Sequence, residues 1–327
     1  MFPSFETILP SLQPALKESQ QFRKKAQRKL LRNVLIGLVL WGLFFLSLLF
    51  NQSSMVVGSL LAVAFFGMCV LLGLSLRGVM EFRRNYSHRL VGGLITSLFK
   101  NITPPPEESD YEYRASFQPG RRIGSLNIRR SKLVGDFTHM SGEDYTSGKI
   151  GLTTFEFSEI DLKREVEYKD NDGKKRKKMK KVFKGIVFIA DFHKDFRGQT
   201  FLVRKQLLGK DKWRLRMDGI MTIDMEDMEF NKTFQTMTTN DIEARYILSS
   251  NLMDKIMEFN RRAKGPIKIA FVRSKMYLFT ETNKNHFDGK FFENNDEKTL
   301  EQIYNDFRLY FDIIEEFTLN RRIWSKK

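Results

Sequence analysis

The chain has 327 residues, and its 55 Lys and Arg against 39 Asp and Glu give a formal net charge of +16. This excess predicts an anionic partner, and the length suffices for one large domain with appendages or for two small domains. A single cysteine, Cys69, excludes an intramolecular disulfide framework and a metal cluster built from several thiolates of one chain. The mean hydropathy of −0.36 is that of an ordinary soluble protein, but the average conceals an apolar block near the N-terminus.

Residues 1–32 form a basic segment that we expect to be helical and cytoplasmic. Two uncharged apolar runs follow, at residues 34–50 and 55–76, and both are long enough to cross the hydrocarbon layer as helices. Because only four residues connect them, we predict a transmembrane hairpin over residues 33–76. A pair of buried core helices is the weaker alternative, since helices of soluble proteins rarely stay apolar on every face over such lengths.

Basic residues flank this hairpin on one side of the membrane, and the turn between the runs carries no charge. The positive-inside rule therefore predicts that both termini are cytoplasmic. The flanking residues are Arg23, Lys24, Lys25, Arg28, Lys29 and Arg32 before the first run, and Arg77, Arg83, Arg84 and Arg89 after the second.

Residues 77–110 are predicted to combine a juxtamembrane helix with a proline-rich linker. From Glu81 to Lys100, apolar residues recur at four-residue steps, a pattern typical of an amphipathic helix. Such a helix lies at the membrane surface or packs on the domain, and the sequence leaves both open. The prolines at Pro104–Pro106 end the pattern, and we expect the cytoplasmic domain to occupy residues 111–327.

The residues beyond the linker predict an α+β domain with a mainly antiparallel sheet and packed helices. A long C-terminal amphipathic helix is the clearest element, with apolar residues from Leu300 to Phe317 at helical spacing. Asp241 and the pair Gly265-Pro266 mark the start and the end of another helical region. Runs rich in β-branched and aromatic residues predict the strands Lys149–Phe157, Leu162–Tyr168, Val182–Phe192, Thr200–Val203, Phe230–Thr236, Ile267–Val272 and Met276–Glu281.

Seven basic residues stand within one stretch of eight: Lys174, Lys175, Arg176, Lys177, Lys178, Lys180 and Lys181. They follow Asn171-Asp172-Gly173, a strong turn signal, so we predict the exposed tip of a β-hairpin. Each cation near an anionic membrane contributes about 1 kcal/mol of attraction, which favours binding of lipid headgroups. An acidic protein partner and a solvated tip without a partner stay open. Nucleic acid is disfavoured, because no recognition motif accompanies the charge.

No sequence pattern indicates catalysis. Phosphate-binding, dinucleotide-binding, nucleophile-elbow and zinc-protease motifs are absent, and the four histidines lack metal-ligand spacing, so we expect no cofactor and no metal. His193, with Asp191 nearby, is the best candidate for acid-base chemistry, although a solvated turn is the simpler interpretation. A membrane-bound enzyme with its site near these two residues is one alternative function. Another alternative function is a structural subunit of a membrane assembly, in which copies of the chain associate through the hairpin as a homo-oligomer.

Two segments resemble a bacterial membrane-protein family, the domain of unknown function 3137. They are FKGIVFIADFHKDFRGQT at Phe183–Thr200 and MEFNKTFQTMTTNDIEARYILSSNLMDKI at Met228–Ile256, within a similar region from about Glu143 to Glu281. The resemblance implies two N-terminal spans, one cytoplasmic domain and a LemA-like membrane partner. It implies no activity, cofactor or catalytic residue.

The sequence therefore predicts a non-enzymatic, multi-pass protein of the bacterial cytoplasmic (inner) membrane. Its cytoplasmic domain is expected to bind a protein partner or anionic lipid headgroups, as a scaffold, an adaptor or a sensor.

Overall fold

A nine-stranded antiparallel sheet forms the centre of the protein. The structure is a computed structural model that describes residues 2–50, 55–104, 106, 111–191, 197–205, 219–263, 265–283, 285, 287 and 289–324. The strands of this part of the chain are β1 (Glu112–Gln118), β2 (His139–Gly151), β3 (Thr153–Lys169), β4 (Lys175–Asp191), β5 (Gln199–Arg204), β6 (Met221–Ile223), β7 (Phe234–Thr238), β8 (Ile267–Val272) and β9 (Lys275–Glu281). Their order is β1-β2-β3-β4-β9-β8-β5-β7-β6, and each neighbouring pair is antiparallel. The predicted α+β class with an antiparallel sheet is confirmed.

Eight α-helices accompany the sheet within the described residues. They are α1 (Phe5–Phe50), α2 (Met55–Tyr86), α3 (Gly92–Lys100), α4 (Ser125–Arg130), α5 (Met228–Thr233), α6 (Asp241–Ile247), α7 (Ser250–Arg262) and α8 (Asp296–Trp324). A π-helical turn, Ser87–Val91, connects α2 to α3. The predicted C-terminal helix corresponds to α8, and its apolar stripe is buried from Leu300 to Ile314.

Helices from both ends of the chain cover one face of the sheet. In α1, Ile8, Leu12 and Leu16 lie four residues apart and are buried in the same core as the α8 stripe. This spacing turns all three side chains to one side of the helix. The core thus includes residues on both sides of the predicted domain boundary at residue 111, and the N-terminal half of α1 is part of the folded domain.

The juxtamembrane helix predicted from Glu81 to Lys100 is formed by the end of α2, the π-helical turn and α3. Its apolar face packs into the large core rather than against a membrane surface. The residues of that face are Phe82, Tyr86, Leu90, Leu94 and Leu98, each 1% exposed or less.

A smaller core lies on the opposite face of the sheet. The segment between β1 and β2, which includes α4, contributes Ile123, Ile128 and Leu133, and these side chains pack on sheet residues such as Val187 and Phe201. Neither β1 nor α4 was predicted from the sequence. The alternation of Tyr113, Ala115 and Phe117 with polar residues in β1 was a usable signal, whereas α4 has only six residues, too few for a clear periodicity.

Three sequence predictions are wrong in detail. The predicted strand Lys149–Phe157 is the end of β2 and the start of β3, interrupted by a turn where Gly151 adopts a φ of 62° that favours glycine. The predicted strand Phe230–Thr236 begins as α5, because the Asp227 side chain accepts hydrogen bonds from the backbone N–H groups of Glu229 and Phe230. The cap of α6 is Asn240 rather than Asp241, and its side chain accepts from the N–H of Glu243.

Candidate functional site

The basic residues lie on a two-stranded extension of the sheet. β3 and β4 stay paired from Lys163 opposite Lys181 to Lys169 opposite Lys175. The neighbouring strand β2 begins opposite Lys163, and β9 ends opposite Gly185, so the outer part of this hairpin has no further strand beside it. We call Lys163–Lys181 the basic arm. The sequence predicted a hairpin tip, whereas six of the seven residues of the run lie in the strand β4, and Lys174 lies in the turn.

The turn of the basic arm is ordered by one carboxylate. Asp170 Oδ1 accepts hydrogen bonds from the backbone N–H groups of Asp172 and Lys174, at 3.1 and 2.9 Å, and Asp170 Oδ2 lies 2.6 Å from Arg176 Nε. Gly173 follows with a φ of 75°, which places no strain on a glycine. The turn therefore satisfies its own backbone and withdraws its carboxylate from solvent.

Replacing Asp170 with alanine is expected to loosen the basic arm without unfolding the sheet. The change removes two hydrogen bonds to backbone amides and one to a guanidinium, so the arm should lose about 1–2 kcal/mol of local stability. Amide hydrogen exchange of residues 163–181 should accelerate about tenfold, while exchange in β8 and β9 stays at the native rate. Equal acceleration in all of these strands would contradict a local role for Asp170.

The two faces of the basic arm differ in charge. Directly paired residues of an antiparallel ladder share a face, so the register assigns Arg164, Val166, Tyr168, Arg176, Lys178 and Lys180 to one face. Among these arm residues, all of which the structure describes, there is no carboxylate, and we call this the acid-free face. Lys178 Nζ lies 4.8 Å from the centre of the Tyr168 ring. Asp170 lies next to this face, and its carboxylate binds Arg176 and the backbone amides of the turn.

The opposite face of the basic arm carries Lys163, Glu165, Glu167, Lys169, Lys175, Lys177, Met179 and Lys181. Here acids and bases pair with each other: Lys177 Nζ lies 2.7 Å from Glu165 Oε1, and this contact lowers the pKa of the Glu165 carboxyl and raises that of the Lys177 ammonium. Cations on this face are therefore partly compensated within the arm. The sequence prediction missed Arg164 and Tyr168, although the alternation of Arg164, Val166 and Tyr168 with Glu165 and Glu167 was a usable signal.

Side-chain contacts show which way the basic arm extends. Ser87 Oγ, just after α2, donates to Asp144 Oδ1 at 2.7 Å. Asp144 follows Glu143, which pairs with Glu159 of β3, so the end of α2 lies near Glu159. Phe99 of α3 is further along the chain from the apolar part of α2, and its ring stacks on that of Phe155 of β3, with ring centres 5.9 Å apart. β3 therefore runs antiparallel to α2 and α3. From Phe155 to the arm it leads toward the end of the domain at which the apolar segments of α1 and α2 depart.

The length of the basic arm is sufficient to reach those segments. Ser87 and Arg77 are ten residues apart in helix, or about 15 Å, whereas Glu159 and Lys169 are ten residues apart in strand, or about 33 Å. The base of the arm is attached to the loop after β9, since Lys181 Nζ donates to Asn283 Oδ1 at 2.6 Å.

Nine of the ten predicted membrane-flanking cations are exposed: Lys24, Lys25, Arg28, Lys29, Arg32, Arg77, Arg83, Arg84 and Arg89. Arg23 differs. Its guanidinium is buried and lies 2.5 Å from Asp296 Oδ1, the first residue of α8, and both side chains are 2% exposed. Arg89 also has a protein partner, Glu18 of α1, with which it forms an exposed ion pair.

The alternative site near Asp191 is only partly described. His193 lies outside the described residues, and Asp191, at the end of β4, lies 3.7 Å from Lys275 Nζ. Both line a depression of about 370 Å³ that is also lined by Tyr145 and Glu156. Tyr145 donates to Glu156 at 3.1 Å, and burial, followed by the charge of Glu156, raises the pKa of its hydroxyl. The depression lies at the end of the sheet opposite to the basic arm.

A group of three carboxylates was not predicted, because Glu159 meets Glu143 and Asp144 only through the pairing of β2 with β3. Carboxylate oxygens of Glu143, Asp144 and Glu159 lie within 4.8 Å of one another. Ser87 Oγ donates to Asp144, and Asn285 Nδ2 donates to Glu143 at 3.3 Å. These contacts connect the sheet to α2 and to the loop before α8, and we assign no ion to the group.

A family model described as protein of unknown function (DUF3137) matches residues 181–319, from β4 into α8. Residues 181–319, less than half of the chain, are similar to this family. The resemblance noted in the sequence is thus confirmed, although the matched region starts later and extends further than Glu143–Glu281. The DUF3137 match excludes both predicted spans and most of the basic arm, so it carries no information about either.

No curated protein matches the chain. Among solved structures, the crystal structure of the mycobacterial trehalose monomycolate transport factor A, TtfA, is similar at 14% sequence identity, with a TM-score of 0.32, over 59% of this chain and 88% of that chain. A likeness of this size carries no argument about function.

Among the described residues, one helical stretch, Phe65–Lys100, is long and apolar enough to cross a membrane, by length and composition alone. The predicted turn at residues 51–54 lies outside the described residues. The two-span hairpin therefore stays a prediction.

Proposed function

We propose that the protein is a non-enzymatic, membrane-anchored scaffold or adaptor of a bacterial cytoplasmic membrane, whose domain contacts anionic lipid headgroups through the basic arm. In this proposal α1 and α2 form the membrane hairpin, and both termini are cytoplasmic. The observation that carries the proposal is the extension of the basic arm toward the end of the domain at which the apolar parts of α1 and α2 depart.

The acid-free face supplies the charge that the proposal requires. Arg176 of this face already pairs with Asp170, and each of the other three cations, Arg164, Lys178 and Lys180, contributes about 1 kcal/mol when it lies near an anionic leaflet. Val166 and Tyr168 stand between them, and amphipathic aromatic side chains such as tyrosine are favoured at the level of the headgroups. Such a contact also tolerates the mobility of long lysine side chains, because the charges need no fixed geometry.

The composition of the basic arm favours a lipid surface over a protein partner. Lysine is depleted in protein interfaces, where arginine and aromatic residues are enriched. Between residues 163 and 181 there are eight lysines but two arginines and one aromatic residue.

A fluorescent probe at the arm tip tests the proposal on the full-length chain. In a Cys69→Ser background, Asn171→Cys is coupled to an environment-sensitive dye, and the protein is placed in nanodiscs that contain lipids spin-labelled at the headgroup. We expect strong quenching with anionic lipid, weak quenching with neutral lipid, and release at high salt, because screening shortens the range of the attraction.

Two matched triple variants separate the two faces. Arg164→Gln, Lys178→Gln and Lys180→Gln neutralise the acid-free face, whereas Lys169→Gln, Lys175→Gln and Lys177→Gln remove the same charge from the opposite face. The first set should reduce the ratio of docked to undocked arm about a hundredfold, at about 1 kcal/mol per cation, and the second set should reduce it much less. An unquenched tip in anionic nanodiscs would show that the arm faces a protein or only water.

A further inference from the structure

An exposed aromatic side chain lies in the loop between β9 and α8. Phe292 is 77% exposed, whereas its neighbour Phe291 is 5% exposed. A single exposed apolar side chain is common in proteins and needs no partner of its own, so a role for Phe292 depends on where it lies relative to α1 and α2.

The loop that presents Phe292 is attached to both N-terminal helices. Gln27 Nε2 of α1 donates to the carbonyl oxygen of Phe291 at 2.6 Å. The ring of Phe291 packs edge-on against Phe82 of α2, with ring centres 5.5 Å apart. Gly289 lies so close to the ring of Tyr86 that any Cβ there would collide with it. The backbone beside Phe292 is therefore fixed relative to α1 and α2.

These attachments set the distance of Phe292 from the apolar segments. Gln27 precedes Val34 by seven residues, and Phe82 follows Leu76 by six, so along both helices the distance is about 10 Å. Between these levels two further apolar side chains are exposed, Leu31 at 62% and Met80 at 67%.

We infer that Phe292 is an interfacial anchor, whose ring lies in the headgroup region of the bilayer that α1 and α2 enter. Apolar side chains of surface-bound elements are buried about 5–10 Å into the boundary between headgroups and acyl chains. Leu31 and Met80 lie between the level of Phe292 and the apolar segments, so they continue the apolar surface toward the bilayer. The inference rests on the membrane placement in the proposed function, but it does not depend on the basic arm.

With the basic arm as a second contact, Phe292 would fix the orientation of the domain on the membrane. One contact is apolar and close to the helices, and the other is electrostatic and lies at the end of a strand pair. The apolar contact requires no anionic lipid and should be insensitive to salt, whereas the electrostatic contact requires both anionic lipid and low salt.

The test uses full-length Cys69→Ser protein in nanodiscs of neutral phosphatidylcholine with lipids spin-labelled near the start of the acyl chain. Three single-cysteine variants carry the same dye: Phe292→Cys, Leu72→Cys in the apolar part of α2, and Ile242→Cys on α6. Ile242 is 82% exposed. It follows β7, which ends at Thr238. Across the sheet, Thr238 lies in one row of paired residues with Phe155 of β3, at the end of the sheet away from the arm. The row is Thr238, Thr200, Phe271, Met276, Ala190 and Phe155.

We expect quenching at Phe292→Cys to be at least fivefold stronger than at Ile242→Cys, and to be unchanged by high salt. If Leu72→Cys is quenched but Phe292→Cys resembles Ile242→Cys, the inference is wrong while the membrane placement stands. If Leu72→Cys is also unquenched, the membrane placement fails and the inference fails with it. A blue-shifted dye at position 292 without quenching by lipid would show that a protein surface covers this side chain, and would also overturn the inference.

Discussion

Replacing Arg23 with glutamine is expected to lower the free energy of unfolding of the full chain by about 3–5 kcal/mol, the usual cost of removing one partner of a buried ion pair. The Asp296 carboxylate would stay buried without its cation, which lies 2.5 Å away in the native protein. Because the pair joins α1 to the first residue of α8, the loss should affect the whole helical layer. Chemical denaturation in detergent or nanodiscs measures it, with the exposed Lys24→Gln change as the control.

The cost of Arg23→Gln should depend on pH. Burial raises the pKa of the Asp296 carboxyl, and Arg23 opposes this rise. Without Arg23 the pKa of the Asp296 carboxyl rises further. Between the pKa of the unfolded chain and that of the folded variant, the folded variant holds a proton that the unfolded chain has released. The stability of the variant therefore falls as the pH rises between these two pKa values. The difference from the native chain should therefore shrink as the pH approaches about 4, the ordinary pKa of Asp. A pH-independent difference would contradict a charge-based explanation, as would a double variant Arg23→Leu with Asp296→Leu that is as unstable as Arg23→Gln.

Replacing Gly185 with alanine is expected to cost more than about 4 kcal/mol and to prevent correct folding, a range reached by severe backbone conflicts. Gly185 lies in β4 at the base of the basic arm, where it pairs with Ile160 and with Glu281. A Cβ at this position would overlap the carbonyl oxygen of Thr280 and would lie 3.0 Å from the Glu281 Cα. Since these atoms belong to the backbone of a central strand, the clash is relieved only by separating β4 from β9.

Gly173→Ala in the turn of the basic arm is the matched control. No atom lies within 4 Å of a Cβ at Gly173, and its φ of 75° is the main source of strain, which costs about 1–2 kcal/mol for an L-residue. The control should fold and should show only a more mobile arm. Thermal unfolding and the yield of membrane-inserted protein compare the two variants, and equal yields would contradict the steric argument for Gly185.

The elements of the fold that the sequence predicted best are those whose pattern is local and uninterrupted. The apolar stripe of α8 and the hairpin of β8 and β9 are of this kind, and both are found in the structure. The turn within residues 149–157 was missed because Gly151-Leu152 carries no Asn-Gly or Asp-Gly signal. α5 was missed because Phe230 and Thr233 were read with Phe234 and Thr236 as one strand, whereas the side chain of Asp227 caps a helix there.

The candidate site was predictable in composition but not in geometry. The basic run is visible in the sequence, yet its division into an acid-free face and a compensated face follows from the register of β3 and β4. Similarly, nothing local distinguishes Arg23 from its exposed neighbours, because its partner Asp296 is 273 residues away. The burial of Ile8, Leu12 and Leu16 depends on the sheet that they cover, so the contribution of α1 to the core could not be recognised within a leader that reads as basic.

The sidedness of the membrane hairpin tests the account most directly. In the Cys69→Ser background, Ser53→Cys, in the predicted turn between the spans, and Asn171→Cys, at the arm tip, are each labelled with a membrane-impermeant maleimide. We expect Ser53→Cys to react only in right-side-out spheroplasts and Asn171→Cys only in inside-out vesicles. Labelling of both positions from the same side would show that α1 and α2 do not cross the membrane as a hairpin, and would contradict the placement of the basic arm and of Phe292 at the cytoplasmic surface.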